Sequence, residues 1–170
     1  MDDRDVAAMD RLPRDQFVTA AAPWFEGAPR FLRRLAAARP FGDASTLFAR
    51  ADEIAAAMPE HEQLELIDAH PRLGAPPSSV SQASFREQGY DRETTEAIAD
   101  LAVLNAAYEA RFGFRFCVFV DGRSRPDLVP VLEGALQADR DGEIGRALHD
   151  VVAIARDRFA NAKGAVEVGS

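Results

Sequence analysis

Apolar residues recur three and four positions apart along most of the chain, which is the spacing of one helix face. Residues 14–25, RDQFVTAAAPWF, follow Pro13 and place Phe17, Val18 and Ala21 on one side. Residues 28–38 read as a second short helix, ended by ARPFGD. Asp43 or Ser45 caps a third, STLFARADEIAAAM, with Leu47, Phe48, Ala51, Ile54 and Ala55 on its apolar face. EHEQLELIDA forms the fourth and closes at His70, because Pro71 biases the residue before it away from helical geometry. The longest helix is RETTEAIADLAVLNAAYEARF, where Ile98, Leu101, Leu104, Asn105 and Tyr108 share a stripe. Ser124 and Pro126 open RPDLVPVLEGALQ. The last helix, EIGRALHDVVAIARDRFANA, carries Leu148, Val151, Val152, Ala155 and Phe159 on one side.

Two stretches break the helical period. PRLGAPPSSVSQAS, after His70, is rich in Pro, Gly and Ser and reads as a loop of about a dozen residues, a length that often serves function. FRFCVFV, residues 114–120, is the one strand-like run; with no partner strand it is expected to lie buried and extended. The pattern predicts an all-α bundle of about seven to nine helices with one extended segment lining a site. A single domain over 1–170 is expected, its core from about residue 15 to about residue 160 and its termini loose.

Composition narrows the function. Of 170 residues 47% are apolar, enough for a proper core. Twenty basic against 28 acidic residues give a formal charge of −8, which argues against a nucleic-acid partner. The same charge repels a small anion at long range, so binding one requires local arginines. A lone cysteine, Cys117, excludes an intramolecular disulfide and is expected to be a buried structural thiol. The acidic start MDDRDVAAMD has no apolar signal region, the end VEVGS has no sorting tripeptide, and no segment approaches a membrane helix. A soluble, cytoplasmic protein is expected.

Candidate chemistry is sparse. The three histidines, His61, His70 and His149, fit no zinc spacing, and HEQLE is not the H-E-x-x-H motif. No nucleophile elbow, phosphate loop or dinucleotide fingerprint is present, so an enzyme here is expected to need no metal and no cofactor. His70 at a helix C-terminus is either a cap for free carbonyls or a proton-transfer group, and the helix dipole is expected to raise its pKa. Ser84 and Glu87 in SFREQ have capping-box spacing, which leaves Gln88 unexplained. On the last helix, with Leu148 at zero, Arg156 falls near about 80° and Arg158 near about 280°, on opposite edges of the apolar stripe. Either can bring a guanidinium to a pocket rim or snorkel at the surface, and periodicity does not choose.

Taken in order, HPRLG, SFREQ, LNAAYEARFGFRFCVFV and IARDRF resemble the 2-oxo-4-hydroxy-4-carboxy-5-ureidoimidazoline (OHCU) decarboxylase family of urate degradation, and RPF at 39–41 fits it too. The resemblance runs from about Asp15 to Phe159. It implies an all-α fold, a homodimer, no cofactor, and conversion of OHCU to (S)-allantoin and carbon dioxide. It implies His70, Glu87 and Arg158 as the catalytic group, and favours Arg158 over Arg156 because Phe159 follows it. Pro71, Ser84, Gln88 and the backbone around Phe116 and Val118 are implied as substrate contacts. Two departures stand near the expected pocket: Arg115 where the family usually has proline, and GYDRE after the EQ pair. Two rival readings remain: a ureide-binding or assembly module of the same fold without activity, and a different cofactorless lyase or hydrolase acting on a related ureide.

Overall fold

The computed structural model describes residues 1–74 and 92–162. Along them run α1 (Asp3–Asp10), α2 (Arg14–Ala21), a 3-10 turn (Ala22–Phe25), α3 (Pro29–Ala37), α4 (Ala44–Ala57), α5 (Glu60–Asp68), α6 (Arg92–Phe112), α7 (Arg125–Ala135) and α8 (Arg140–Asn161). No strand occurs among the described residues, and residues 114–120 are extended without a ladder, as the pattern predicts.

Local chemistry explains where these boundaries depart from the periodic reading. α1 was not legible: it buries only Val6 and Met9, and it owes its start to a capping box between Asp2 and Asp5. The expected helix over 14–25 is two elements, because Pro23 has no N–H to continue the ladder and the chain tightens into a 3-10 turn. Asp43, not Ser45, caps α4, accepting the Thr46 N–H at 2.7 Å. α8 begins three residues before the expected Glu143, where Asp139 accepts the Gly142 N–H at 3.1 Å. A Cβ at position 142 would stand 2.7 Å from Asp139 Oδ1, so the glycine makes room for that cap.

α8 packs against α4, α5 and the 3-10 turn, and all five of its expected core residues are buried. Phe159 at its end meets Trp24 and Phe48 edge-on, with ring centroids 5.1 and 5.5 Å away. α6 packs on α7 and buries Ala97, Leu101, Asn105, Tyr108 and Phe112; the expected Ile98 and Leu104 lie half-buried. Phe114, Phe116, Cys117 and Val118 of the extended segment are buried too.

A polar network ties that segment to α8. Tyr108 donates to Glu143 Oε1 at 2.8 Å, and Glu143 is 3% exposed. Arg146 donates to both Glu143 oxygens at 3.0 Å, to Asp150 at 2.7 Å and to the Cys117 carbonyl at 2.9 Å, with its guanidinium over the Phe116 ring. Removing one partner of a buried ion pair strands the other charge. Arg146→Ala is therefore expected to destabilise the fold by about 2–4 kcal/mol, somewhat less than for a fully buried pair because Arg146 keeps some solvent contact. A urea midpoint indistinguishable from that of the unaltered protein would contradict this.

Candidate active site

The site begins where α5 ends. The His70 N–H donates to the Ile67 carbonyl at 3.1 Å, and Nδ1 of its ring lies 3.0 Å from the Leu66 carbonyl. A carbonyl only accepts, so Nδ1 carries the ring proton and Nε2 presents a lone pair. His70 is 3% exposed, and its Nε2 has no partner among the described residues. The ring is thus oriented through one nitrogen, leaving the other free to take a proton.

Burial pushes the imidazole pKa below its ordinary value near 6.5. The Leu66 bond and the Glu26 carboxylate pull upward and the Arg158 charge pushes down, but desolvation dominates. This corrects the expectation of a raised pKa. The helix end does favour imidazolium, but removing the ring from water penalises the charged form more.

His70 opens on a cavity of about 460 Å³, within the usual range for small-molecule sites. Pro71, Phe116, Val118 and Arg158 line it with His70, so five of the sequence candidates meet in one hollow. Ser84, Glu87 and Gln88 lie outside the described residues. Arg156 faces elsewhere, over the Phe48 ring at a separate depression beside Met1 and Ser45. Cys117 also lines the cavity, but burial pushes its thiol up to about 12, which removes it as a nucleophile. Among the described residues no group of three or more His, Cys, Asp or Glu is placed to hold a metal ion.

Arg158 is gripped from behind by the 3-10 turn. Its Nη1 donates to the carbonyls of Pro23 (3.1 Å) and Trp24 (3.4 Å), and Nη2 pairs with the Glu26 carboxylate. Of its five N–H groups, the Nε–H and one on Nη2 remain without a partner among the described residues. Glu26 is the partner of Arg158 that the sequence did not reveal. It lies 132 positions from Arg158, and its φ of 51° places it in a left-handed turn with Gly27 that no spacing rule links to α8. Asp121 and Asp157 are also among the residues that line the cavity.

The lowered pKa has a pH consequence whose sign follows from linkage. The unfolded chain takes up the histidine proton at a higher pH than the folded one does. The stability contributed by the neutral buried ring is therefore complete above pH 6.5 and is lost as the pH falls through the lower folded value. Urea unfolding from about pH 7.5 to about pH 5.5 is expected to destabilise the unaltered protein more than His70→Gln, which has no group to titrate. Parallel losses in the two proteins would contradict the burial argument.

A family model described as OHCU decarboxylase matches residues 10–160. The chain is 35% identical over 140 residues to the uric acid degradation bifunctional protein PucL of Bacillus subtilis (strain 168), a match over 81% of this chain and 28% of that protein. It is 29% identical over 157 residues to a 2-oxo-4-hydroxy-4-carboxy-5-ureidoimidazoline decarboxylase of Haloferax volcanii, over 89% of this chain and 92% of that one. The chain thus spans less than a third of the bifunctional relative and nearly all of the other. Its fold is similar to that of an OHCU decarboxylase crystallised in the presence of (S)-allantoin, with a TM-score of 0.65 at 22% identity over 81% of this chain and 93% of that one. An (S)-allantoin synthase is similar at a TM-score of 0.64 and 22% identity, over 92% of this chain and 53% of that one.

Proposed function

This chain belongs to the OHCU decarboxylase family, and from that premise we propose that it converts OHCU to (S)-allantoin and carbon dioxide, acting as a single-domain cytoplasmic homodimer. The observation that carries the reading is that His70, whose buried Nε2 has no partner among the described residues, lines the same cavity as Arg158.

The reaction needs no electron sink beyond the substrate. The bond from the ring carbon to the carboxylate breaks and carbon dioxide leaves. The freed pair forms a double bond to the neighbouring ring carbon, whose imine pair moves to nitrogen, and that nitrogen takes a proton. The resulting enol gives its hydroxyl proton to a base as the carbonyl forms, and the neighbouring carbon, which carries the ureido arm, takes a proton on one face. His70 is that base: its lowered pKa keeps it neutral, and the Leu66 bond leaves Nε2 as the accepting nitrogen. Arg158 holds a carbonyl or the ureido arm with the two N–H groups that have no partner among the described residues. Glu87 orients His70 or the substrate hydroxyl and balances charge. Pro71, Phe116 and Val118 shape the pocket, and Ser84 and Gln88 supply neutral hydrogen bonds to the ureido arm.

The reading is tested with OHCU generated in situ and with a panel of other ureides, following substrate loss and released carbon dioxide. Consumption of OHCU well above its spontaneous decay, with one carbon dioxide per molecule, is expected. Binding without acceleration would favour a ureide-binding module, and turnover of another ureide would favour a different lyase or hydrolase; either result rejects the proposal.

A further inference from the structure

We propose that Arg115 is a positioning residue for His70, holding the backbone at that histidine so that its ring keeps the Nδ1-bonded orientation at the edge of the cavity. The inference rests on the functional reading of His70 given above.

The last carbonyls of a helix have no partner within it. α5 ends at Asp68, and Arg115 reaches across from the extended segment to its end. Its Nη1 donates to the Asp68 carbonyl at 3.0 Å and to the His70 carbonyl at 3.3 Å. Its backbone N–H donates to Asp68 Oδ1 at 2.8 Å. Three bonds thus close the corner between α5 and the segment whose next residue, Phe116, lines the cavity. A cation is also favoured there, at the negative end of the helix.

Among the described residues His70 is consequently held at three points. Its N–H is bonded to Ile67, its ring to Leu66, and its carbonyl to Arg115. Pro71 follows and has no N–H with which to brace the turn. Among the described residues the Arg115 bond is the one hold that comes from a different part of the chain, 45 positions away. Arg115 itself does not line the cavity, so its influence on a bound molecule passes through His70. Losing it lets the peptide after His70 rotate and weakens the geometry that commits Nδ1 to Leu66. An error of that size in a catalytic base reduces the rate of the chemical step more than it reduces binding.

The test compares Arg115→Ala and Arg115→Lys with the unaltered protein, using OHCU kinetics and ¹⁵N NMR of the histidine rings. Arg115→Ala is expected to lower kcat about tenfold, the loss matching one charged hydrogen bond, with KM changing less than about twofold. The His70 signals should move from a single protonated-Nδ1 form to a mixture of tautomers. Arg115→Lys should recover most of kcat and the single form, because both carbonyls are served by one nitrogen and an ammonium can donate to both. If Arg115→Ala does not fold, Arg115→Gln, with one amide to donate, takes its place. Unchanged kcat and tautomer in the alanine variant would overturn the inference, as would a loss of activity with unaltered His70 signals. His70→Ala is assayed alongside. Full activity in that variant would defeat the assignment of His70 as the base, while the ring signals would still decide whether Arg115 holds it.

Discussion

His70→Ala is expected to lower kcat for OHCU by about 10²–10⁴-fold, the usual contribution of a positioned acid–base group. The physical case is specific. A buried ring bonded through Nδ1 to Leu66 is held in one tautomer, and the opposite nitrogen meets no protein group among the described residues. An unpaired buried acceptor carries a desolvation penalty, and a structural role for the ring would not explain leaving it unpaired. Alanine removes the acceptor and enlarges a cavity already about 460 Å³ in volume. Added imidazole is therefore expected to restore part of the rate, and the acid limb of kcat/KM in the unaltered protein should lie below the ordinary histidine value of 6.5. An alanine variant within about threefold of normal kcat would remove His70 from the chemistry, since losses from base removal are far larger.

Arg158→Lys should lower kcat/KM by about 10²-fold, comparable to losing one preorganised donor at a site of developing charge. Arginine has five N–H groups, and the carbonyls of Pro23 and Trp24 and the carboxylate of Glu26 occupy three of them. Lysine has three donors in all, so an ammonium that satisfies the turn has nothing left for substrate. The charge is kept, which separates directed hydrogen bonding from simple attraction. A lysine variant with normal kcat/KM would mean that Arg158 only ties α8 to the 3-10 turn. Glu26→Gln bears on the same point: it keeps one acceptor for Nη2 and removes the counter-charge, so it should alter KM more than fold stability.

How much of this was legible in the sequence depended on how local each cause was. α6 matches its expected span from Arg92 to Phe112, and all five residues expected in the α8 core stripe are buried, because helical period is a local signal. α1 was hidden because an acidic octet with two buried apolar residues has almost no period to detect. The split at Pro23 and the choice of Asp43 over Ser45 turned on single hydrogen bonds. At the site, His70 and Arg158 could be picked out by residue type and motif order, and the fold brings them to one cavity. The sign of the His70 pKa shift could not be read, because desolvation comes from tertiary packing while the helix dipole is visible along the chain. Glu26 was illegible for a similar reason: its partner lies on the last helix and nothing in the local turn points there. Arg115 stands out in the sequence as a departure, but only the fold reveals that it reaches the carbonyl of His70.

The most direct test of the central claim is stereochemical. OHCU is generated in situ from urate, the protein is added, and the circular dichroism of the allantoin formed is followed over time. A cavity that positions the substrate between the His70 imidazole and the Arg158 guanidinium should deliver the new proton to one face, giving (S)-allantoin rapidly from the unaltered protein and slow racemic product with His70→Ala. Racemic allantoin appearing at the spontaneous rate in the presence of the unaltered protein would contradict the account.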